Sequence, residues 1–239
     1  MTDALPHPLL ASIGGALEFI FTPQSSNVTG GKPVGGIDQV VELMLNQIEL
    51  TLLALAVSLL VALPLGLYLG HRGTGELFAI TIGSAGRAVP ELALIALMAA
   101  VIGVGVLNLT VALAVLGVPP ILANTFVGIR GVDRGAVDAA RGMGMTELEI
   151  LRKVEVPLAI PTLFAGVRGA AIAIVATATI APIAGVLTLG DFILNVNVYG
   201  NNGVLAGAIL VALLALVLEF SLAGLQRLLT SRGLKLRSA

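Results

Sequence analysis

The side chains able to do chemistry are few in this chain, and most of them fall in one stretch. Between Arg130 and Glu155 stand Arg130, Arg134, Arg141, Arg152 and Lys153 among Asp133, Asp138, Glu147, Glu149 and Glu155. Equal numbers of both signs argue against a basic lipid-binding patch, which would be one-sided. A mixed surface suits a protein partner, with an ordinary solvated connection as the plainer alternative. The chain has no cysteine, so disulfides, thiolate metal sites and cysteine nucleophiles are excluded. His7 and His71 lack metal-site spacing, and neither is assigned a catalytic task. No G-x-x-x-x-G-K-[ST] pattern occurs, so ATP is not bound in that way.

Three more charges interrupt otherwise apolar runs. Arg87 and Glu91 are four apart around Pro90, which reads either as a neutralising pair facing a bundle interior or as part of a solute pathway. Arg168, eleven residues past Pro157, suits a gate, a helix-packing role or a snorkelling side chain. Gly66, Gly70, Gly103, Gly105, Gly166 and Gly169 fit close helix approach, Asn108 and Thr110 an external turn, and Asn124 a hydrogen bond to another helix.

The elements that carry these residues are set by hydropathy. Only 11% of the 239 residues are charged and 57% are hydrophobic, against about 25% charged in a soluble domain, so lipid is the solvent for most of the chain. A bilayer crossing needs about 20 apolar residues. Five runs meet that length: Glu49 to His71, Leu77 to Val106 (broken by Arg87 and Glu91), Leu107 to Ile129, Pro157 to Ala181, and Val204 to Leu225 with Glu219 near its end. Five spans put Arg72, Arg130, Arg134, Arg141, Arg152, Lys153, Arg227, Arg232, Lys235 and Arg237 on one face, which the positive-inside rule makes cytoplasmic, and Lys32 on the other. The expected organisation is an external segment 1–40, a membrane domain 41–228 with a cytoplasmic loop 130–156, and a cytoplasmic tail 229–239 too short for a regulatory domain. No Lys or Arg precedes Lys32, so the amino-terminus is read as mature sequence, not a cleavable signal. Leu9 to Phe21 is short and carries Gly14, Gly15 and Glu18, which predicts a helix in the outer interface, with a sixth span as the rival. Thr22 to Gly36 reads as an external loop. Pro182 to Gly203, apolar but interrupted by Thr188, Asp191, Asn195, Asn197, Asn201 and Asn202, reads as a re-entrant or surface-lying segment.

Within the charged loop, local signals predict two short helices with a glycine joint. Asp133 caps the first, which stops at Gly142 and Gly144. Thr146 and Glu149 have capping-box spacing, Glu149 precedes Lys153 by four, Leu148, Leu151 and Val154 share a face, and Pro157 opens the next span.

Asp138-Ala139-Ala140, Gly144, and Val154-x-Val156-Pro157 resemble the "EAA" loop of ABC importer permeases, with Asp138 in place of the usual Glu and valines in place of Ile and Leu. The stretches Pro64–Gly75, Arg87–Leu97, Val137–Ala170, Val175–Ala181 and Leu205–Glu219 are similar to the branch that imports glycine betaine, carnitine, choline or proline. Ala184–Asp191 departs from that branch's glycine-rich pattern, and Glu91 stands where a small or apolar residue is expected. The resemblance implies an all-α, five-span permease fold like that of the methionine importer, with a short external interfacial helix. It implies that Asp138, Ala139, Ala140, Arg141, Gly142, Gly144, Thr146, Glu147, Val154 and Pro157 form a coupling surface for a cytoplasmic ATPase. Arg87, Pro90, Glu91 and Arg168 are the pathway or gate candidates.

The implied partners are two ABC ATPase subunits, a second permease copy or a homologous permease, an external solute-binding protein and membrane lipid, without nucleic acid. ATP and Mg would be held by the ATPase, leaving this chain without a cofactor, a metal or catalysis of its own. Quaternary ammonium groups are usually held by several aromatic faces, and the chain has no Trp and two Tyr, Tyr68 and Tyr199, which points to a binding protein as the seat of selection. A permease for methionine, taurine or another small solute shares the loop pattern. An ATP-independent channel has no use for the loop, and a membrane-embedded enzyme lacks a cluster of His, Asp or Glu at one depth.

Overall fold

The computed structural model describes residues 12–26, 28–85 and 89–230. The expectations for Leu9 to Ala11, for Arg87 and for the tail charges Arg232, Lys235 and Arg237 lie outside the described residues. The described chain is helical apart from loops and one small antiparallel pairing of Gln24–Ser25 with Pro33–Val34 inside the predicted external loop.

Four helical stretches are long and apolar enough to cross a membrane. They are α2 (Gly36–Arg72), α5 (Val106–Arg130), the continuous run Glu147–Ala184 and α10 (Val196–Leu229). The run Glu147–Ala184 comprises α7 (Glu147–Ile150), a π-helical turn (Leu151–Glu155), α8 (Val156–Thr177) and a 3₁₀ segment (Ala178–Ala184). Shorter helices complete the fold: α1 (Ile13–Phe21), α3 (Glu76–Ala85), α4 (Glu91–Ile102), α6 (Arg134–Gly142) and α9 (Gly190–Leu194).

The expected second span is not one helix. Pro90 is extended (φ −65°, ψ 118°) and caps α4, so the run Leu77 to Val106 divides into α3 and α4. Proline lacks the amide that would continue the ladder and disfavours a helical residue before it. The two pieces lie along α5 in antiparallel order. Gly83 of α3 faces Ala123, while Leu94 and Ile95 of α4 share a core with Leu109 and Leu113. The turn into α5 is made by Gly103 (φ +92°) and Gly105 (φ +128°). Asn108 therefore sits buried in the first turns of α5 and not in the turn itself.

Helices α2 and α5 form the central pair. A Cβ on Gly66 would lie 2.7 Å from Thr125 Cβ, and one on Gly70 would lie 2.8 Å from Ile129 Cβ. Small residues let backbones approach where lipid offers no hydrophobic drive to association. Ser58 adds a polar tie, its Oγ lying 2.8 Å from its own-helix Ala54 carbonyl and 3.0 Å from the Ala114 carbonyl of α5. Gly166 of α8 is equally tight against Pro120 of α5, whereas Gly169 has open space beside it.

Within residues 182–203 the stretch Thr188, Leu189, Gly190, Asp191 and Phe192 is buried, while Ile183, Leu187, Leu194 and Val196 on either side are exposed. Irregular backbone in a membrane protein needs partners from the protein itself. Gln47 of α2 supplies two, its Nε2 donating to the Val175 carbonyl at 3.1 Å and its Oε1 accepting from Leu189 N–H at 3.1 Å. Thr188 Oγ1 donates to the Ala178 carbonyl at 2.9 Å. Helix α1, nine residues long and too short to cross, packs here. Phe19, Phe192 and Tyr199 meet edge to face, with centroids 4.9–6.1 Å apart. Ile13, Leu17 and Phe21 on the outer face of α1 stay exposed.

Candidate functional site

The charged loop gathers at one end of the bundle, where α2 ends at Arg72 and α5 at Arg130. Asp133 caps α6, its Oδ1 accepting from Gly135 N–H at 3.3 Å. Gly144 (φ +82°) then turns the chain in a conformation that costs an L side chain about 1–2 kcal/mol. Thr146 and Glu149 form a capping box: Thr146 N–H and Oγ1 both donate to Glu149 Oε2 at 3.0 Å, and Glu149 N–H donates to Thr146 Oγ1 at 3.4 Å. Lys153 Nζ donates to Glu149 Oε1 at 2.9 Å. That ammonium, followed by the Thr146 donors, pulls the Glu149 carboxyl down to about 2.

The second loop helix starts at its expected cap and differs from its expectation at the carboxy-terminal end. It does not stop before the span but runs through the π turn into α8, so Pro157 lies inside a continuous helical stretch. A proline in an α-helix clashes with the carbonyl four residues back, and the wider π turn before it relieves that crowding. Leu148 does not share a packed face with Leu151 and Val154 but is exposed. The buried anchor is Ile150, packed with Ile129, Val137, Ala140 and Leu163.

Asp138, Arg141 and Glu147 stand together on the exposed side. Arg141 donates through Nε and Nη2 to the two Glu147 oxygens, both at 3.2 Å, and through Nη1 to Asp138 Oδ1 at 3.4 Å. The guanidinium holds the Glu147 carboxyl below its usual value. Exposed pairs of this kind add little stability and serve here to fix the geometry of the joint. Ala139 and Gly142 are exposed, Ala140 is buried against the bundle, Val154 is half-buried, and Met143 projects with 72% of its surface exposed. The result is a braced, two-sided protrusion with an apolar tip at Met143 and Leu148, suited to docking on a protein.

His71, assigned no task from sequence, joins this network. Its Nδ1 is 2.6 Å from Glu155 Oε2 and its Nε2 is 3.3 Å from Glu147 Oε2. No sequence signal marks these contacts, because the partners lie 84 and 76 residues away.

The pathway candidates separate. Glu91 opens α4 and lines a cleft of about 400 Å³ with Asn124, Gly83, Leu116, Gly169 and Ala173. Among the described residues, Asn124 bonds within its own helix, its Nδ2 donating back to the Pro120 carbonyl at 2.8 Å. Pro90 caps α4 in an extended conformation, so the helix that Glu91 opens does not continue back through it. Arg168 faces away from the cleft's polar lining and ties α8 to α10, donating through Nη2 to Glu219 and through Nη1 to Gln226 Oε1 at 3.2 Å. Of the two tyrosines, Tyr199 is buried in the aromatic cluster and Tyr68 carries the Arg72 guanidinium 5.6 Å over its ring. Among the described residues no group of His, Asp and Glu could hold a metal ion.

Residues 62–232 match the family described as binding-protein-dependent transport system inner membrane component. The chain is 40% identical over 187 residues to the carnitine transport permease protein OpuCB of Listeria monocytogenes, covering 78% of this chain and 86% of that one. It is 36% identical over 191 residues to the glycine betaine/carnitine/choline transport system permease protein OpuCB of Bacillus subtilis (strain 168), covering 80% and 88%. Among solved structures, the fold is similar to a chain of the inward-facing MetNI methionine ABC transporter, with a TM-score of 0.71 and 22% identity over 82% of this chain and 98% of that one.

Proposed function

The chain belongs to the binding-protein-dependent transport system inner membrane components and is a multi-pass permease subunit of an ABC importer, and we propose that it moves a compatible solute of the glycine betaine, carnitine and choline class. What carries the solute class is identity of 36–40% with permeases of that class along about four fifths of the chain. Neither tyrosine is free to cage a quaternary ammonium group, which supports selection by an external binding protein. The cleft beside Glu91 then needs only to pass the solute, with Glu91 as a counter-charge.

The loop from Asp133 to Glu155 is the surface for a cytoplasmic ATPase, with Asp138, Arg141, Gly144 and Glu147 as its exposed frame. ATP binding draws two ATPases together, and the loop passes that closure to the spans through the unbroken run from Glu147 into α8. The basic residues around Arg72, Arg130 and the loop face the cytoplasm, and α1 with the strand pairing lies outside. The outward apolar face of α1 suits the membrane interface.

The test is uptake into proteoliposomes holding the permease with its co-purified ATPase and binding protein. ATP-dependent uptake of labelled glycine betaine, carnitine or choline, and none of methionine or taurine, is expected. Uptake of methionine or taurine instead would overturn the solute class, and uptake without ATP would overturn the importer.

A further inference from the structure

Three helices border the loop, and two of them are joined to it by the chain itself: α5 runs into it and α8 runs out of it. Helix α2 is not. After Arg72 the backbone turns away at Gly73 (φ +68°), so α2 follows the loop through packing alone, on α5 at Gly66 and Gly70 and on the loop itself through side chains. Part of that contact is apolar, with Leu63 and Leu67 resting on the Ile129, Val137 and Ile150 cluster. Apolar contacts are non-directional and do not fix a register. Among the described residues, the hydrogen-bonded and ionic links between α2 and the loop are those of His71.

The geometry of that link is specific. Glu155 is buried, with 2% of its side chain exposed, and its Oε2 lies 2.6 Å from His71 Nδ1. A buried carboxyl group needs a hydrogen-bond partner, and the ring supplies it. The opposite edge of the ring, Nε2, meets Glu147 Oε2, the same oxygen that accepts from Arg141 Nη2. A continuous chain therefore runs from Asp138 on α6 through Arg141, Glu147 and His71 to Glu155 in the π turn. It crosses the joint at Gly144 and passes through α2 at His71.

We infer that His71 is a positioning residue for energy coupling: it clamps the end of α2 to the ATPase-facing loop, so that displacement of the loop moves α2, α5 and α8 as one body. The inference rests on the proposed role of the loop. The clamp sets one ring nitrogen against each of two carboxyl groups from different segments; both contacts are hydrogen bonds when each nitrogen carries a proton, and a side chain with one donor end can hold only half of it.

The absence of cysteine permits a direct test. Spin labels at Thr74→Cys, just past α2, and Arg134→Cys, at the exposed start of α6, report the separation of α2 from the loop in the reconstituted transporter, nucleotide-free and trapped with ATP and vanadate. With His71 present, one narrow distance distribution unchanged between the two states is expected. With His71→Gln the distribution broadens and shifts on trapping, and with His71→Ala it does so further. The same variants keep ATP hydrolysis per assembled transporter but lose its stimulation by solute-loaded binding protein, a split that a mere loss of stability would not produce. His71→Gln keeps the site filled, so it decides the matter if His71→Ala does not assemble. Narrow, unshifted distances and full stimulation in His71→Gln would overturn the clamp. A wild-type chain that retains no ATPase would count against the importer reading instead. Label distances in the chain alone would then still decide the clamp, which an unchanged distribution in His71→Gln overturns.

Discussion

Glu149 serves three donors with two oxygens: the Thr146 amide and hydroxyl on one and the Lys153 ammonium on the other. Its carboxyl is held near 2, below its ordinary value, so its contribution is complete above the ordinary value and is lost as pH falls toward 2. Amides of α7 should therefore exchange faster, after correction for intrinsic rates, as pH is lowered from about 6 to about 3. Glu149→Gln should flatten that dependence, and an unchanged slope in the variant would assign it to another group. The cap was legible in sequence because Thr146, Glu149 and Lys153 lie within one or two helical turns. His71 with Glu155, and Arg168 with Glu219, were not, because their partners lie 84 and 51 residues away and only packing brings them together. Sequence could flag Arg168 and Glu219 as charges out of place in apolar runs, but not that each neutralises the other.

Among elements, the segment around Gly190 is closely seated against the 3₁₀ segment at the end of α8. A Cβ on Gly190 would sit 1.7 Å from the Thr179 carbonyl oxygen, inside any permissible contact. Gly190→Ala should destabilise the purified chain by at least about 3 kcal/mol, whereas Gly224→Ala, with open space beside it, should stabilise α10 by about 0.5–1 kcal/mol. Thermal melts of both variants in one detergent check this, and a neutral Gly190→Ala would show that the segment is not seated against the 3₁₀ turn. The tie between α8 and α10 is a second case. Glu219→Gln and Arg168→Met should each lower the melting temperature, and the double variant should be less harmful than their sum by about 1–2 kcal/mol. Strict additivity would mean that the pair is not formed. Hydropathy located these helices but misplaced their ends, since it measures the apolar middle of an element. The break at Pro90 is visible as a proline, but the apolar run continues on both sides of it and so predicts a single span. The burial of residues 188–192 was not visible, since Gln47, the residue that makes it possible, sits in a different helix.

At the scale of the molecule, the described charges of both signs gather most densely on one surface, the loop, where three helices converge. The loop is stiffened by its cap, its Arg141 brace and the run into α8, and it bends only at Gly144. A stiff protrusion transmits a push; a solvated connection would not. The fold class and the place of this loop were legible from composition, run length and motif spacing, while its connection to α2 emerged only from the packed structure. The most direct test is co-purification of the tagged chain from gentle detergent, comparing wild type with Gly144→Asp, whose side chain strains a φ of +82° without a clash. The wild-type chain should bring down an ABC ATPase that hydrolyses ATP, and the variant should fold and melt close to wild type yet lose that partner. A wild-type chain that purifies without any ATPase, or a variant that keeps it, would contradict the account.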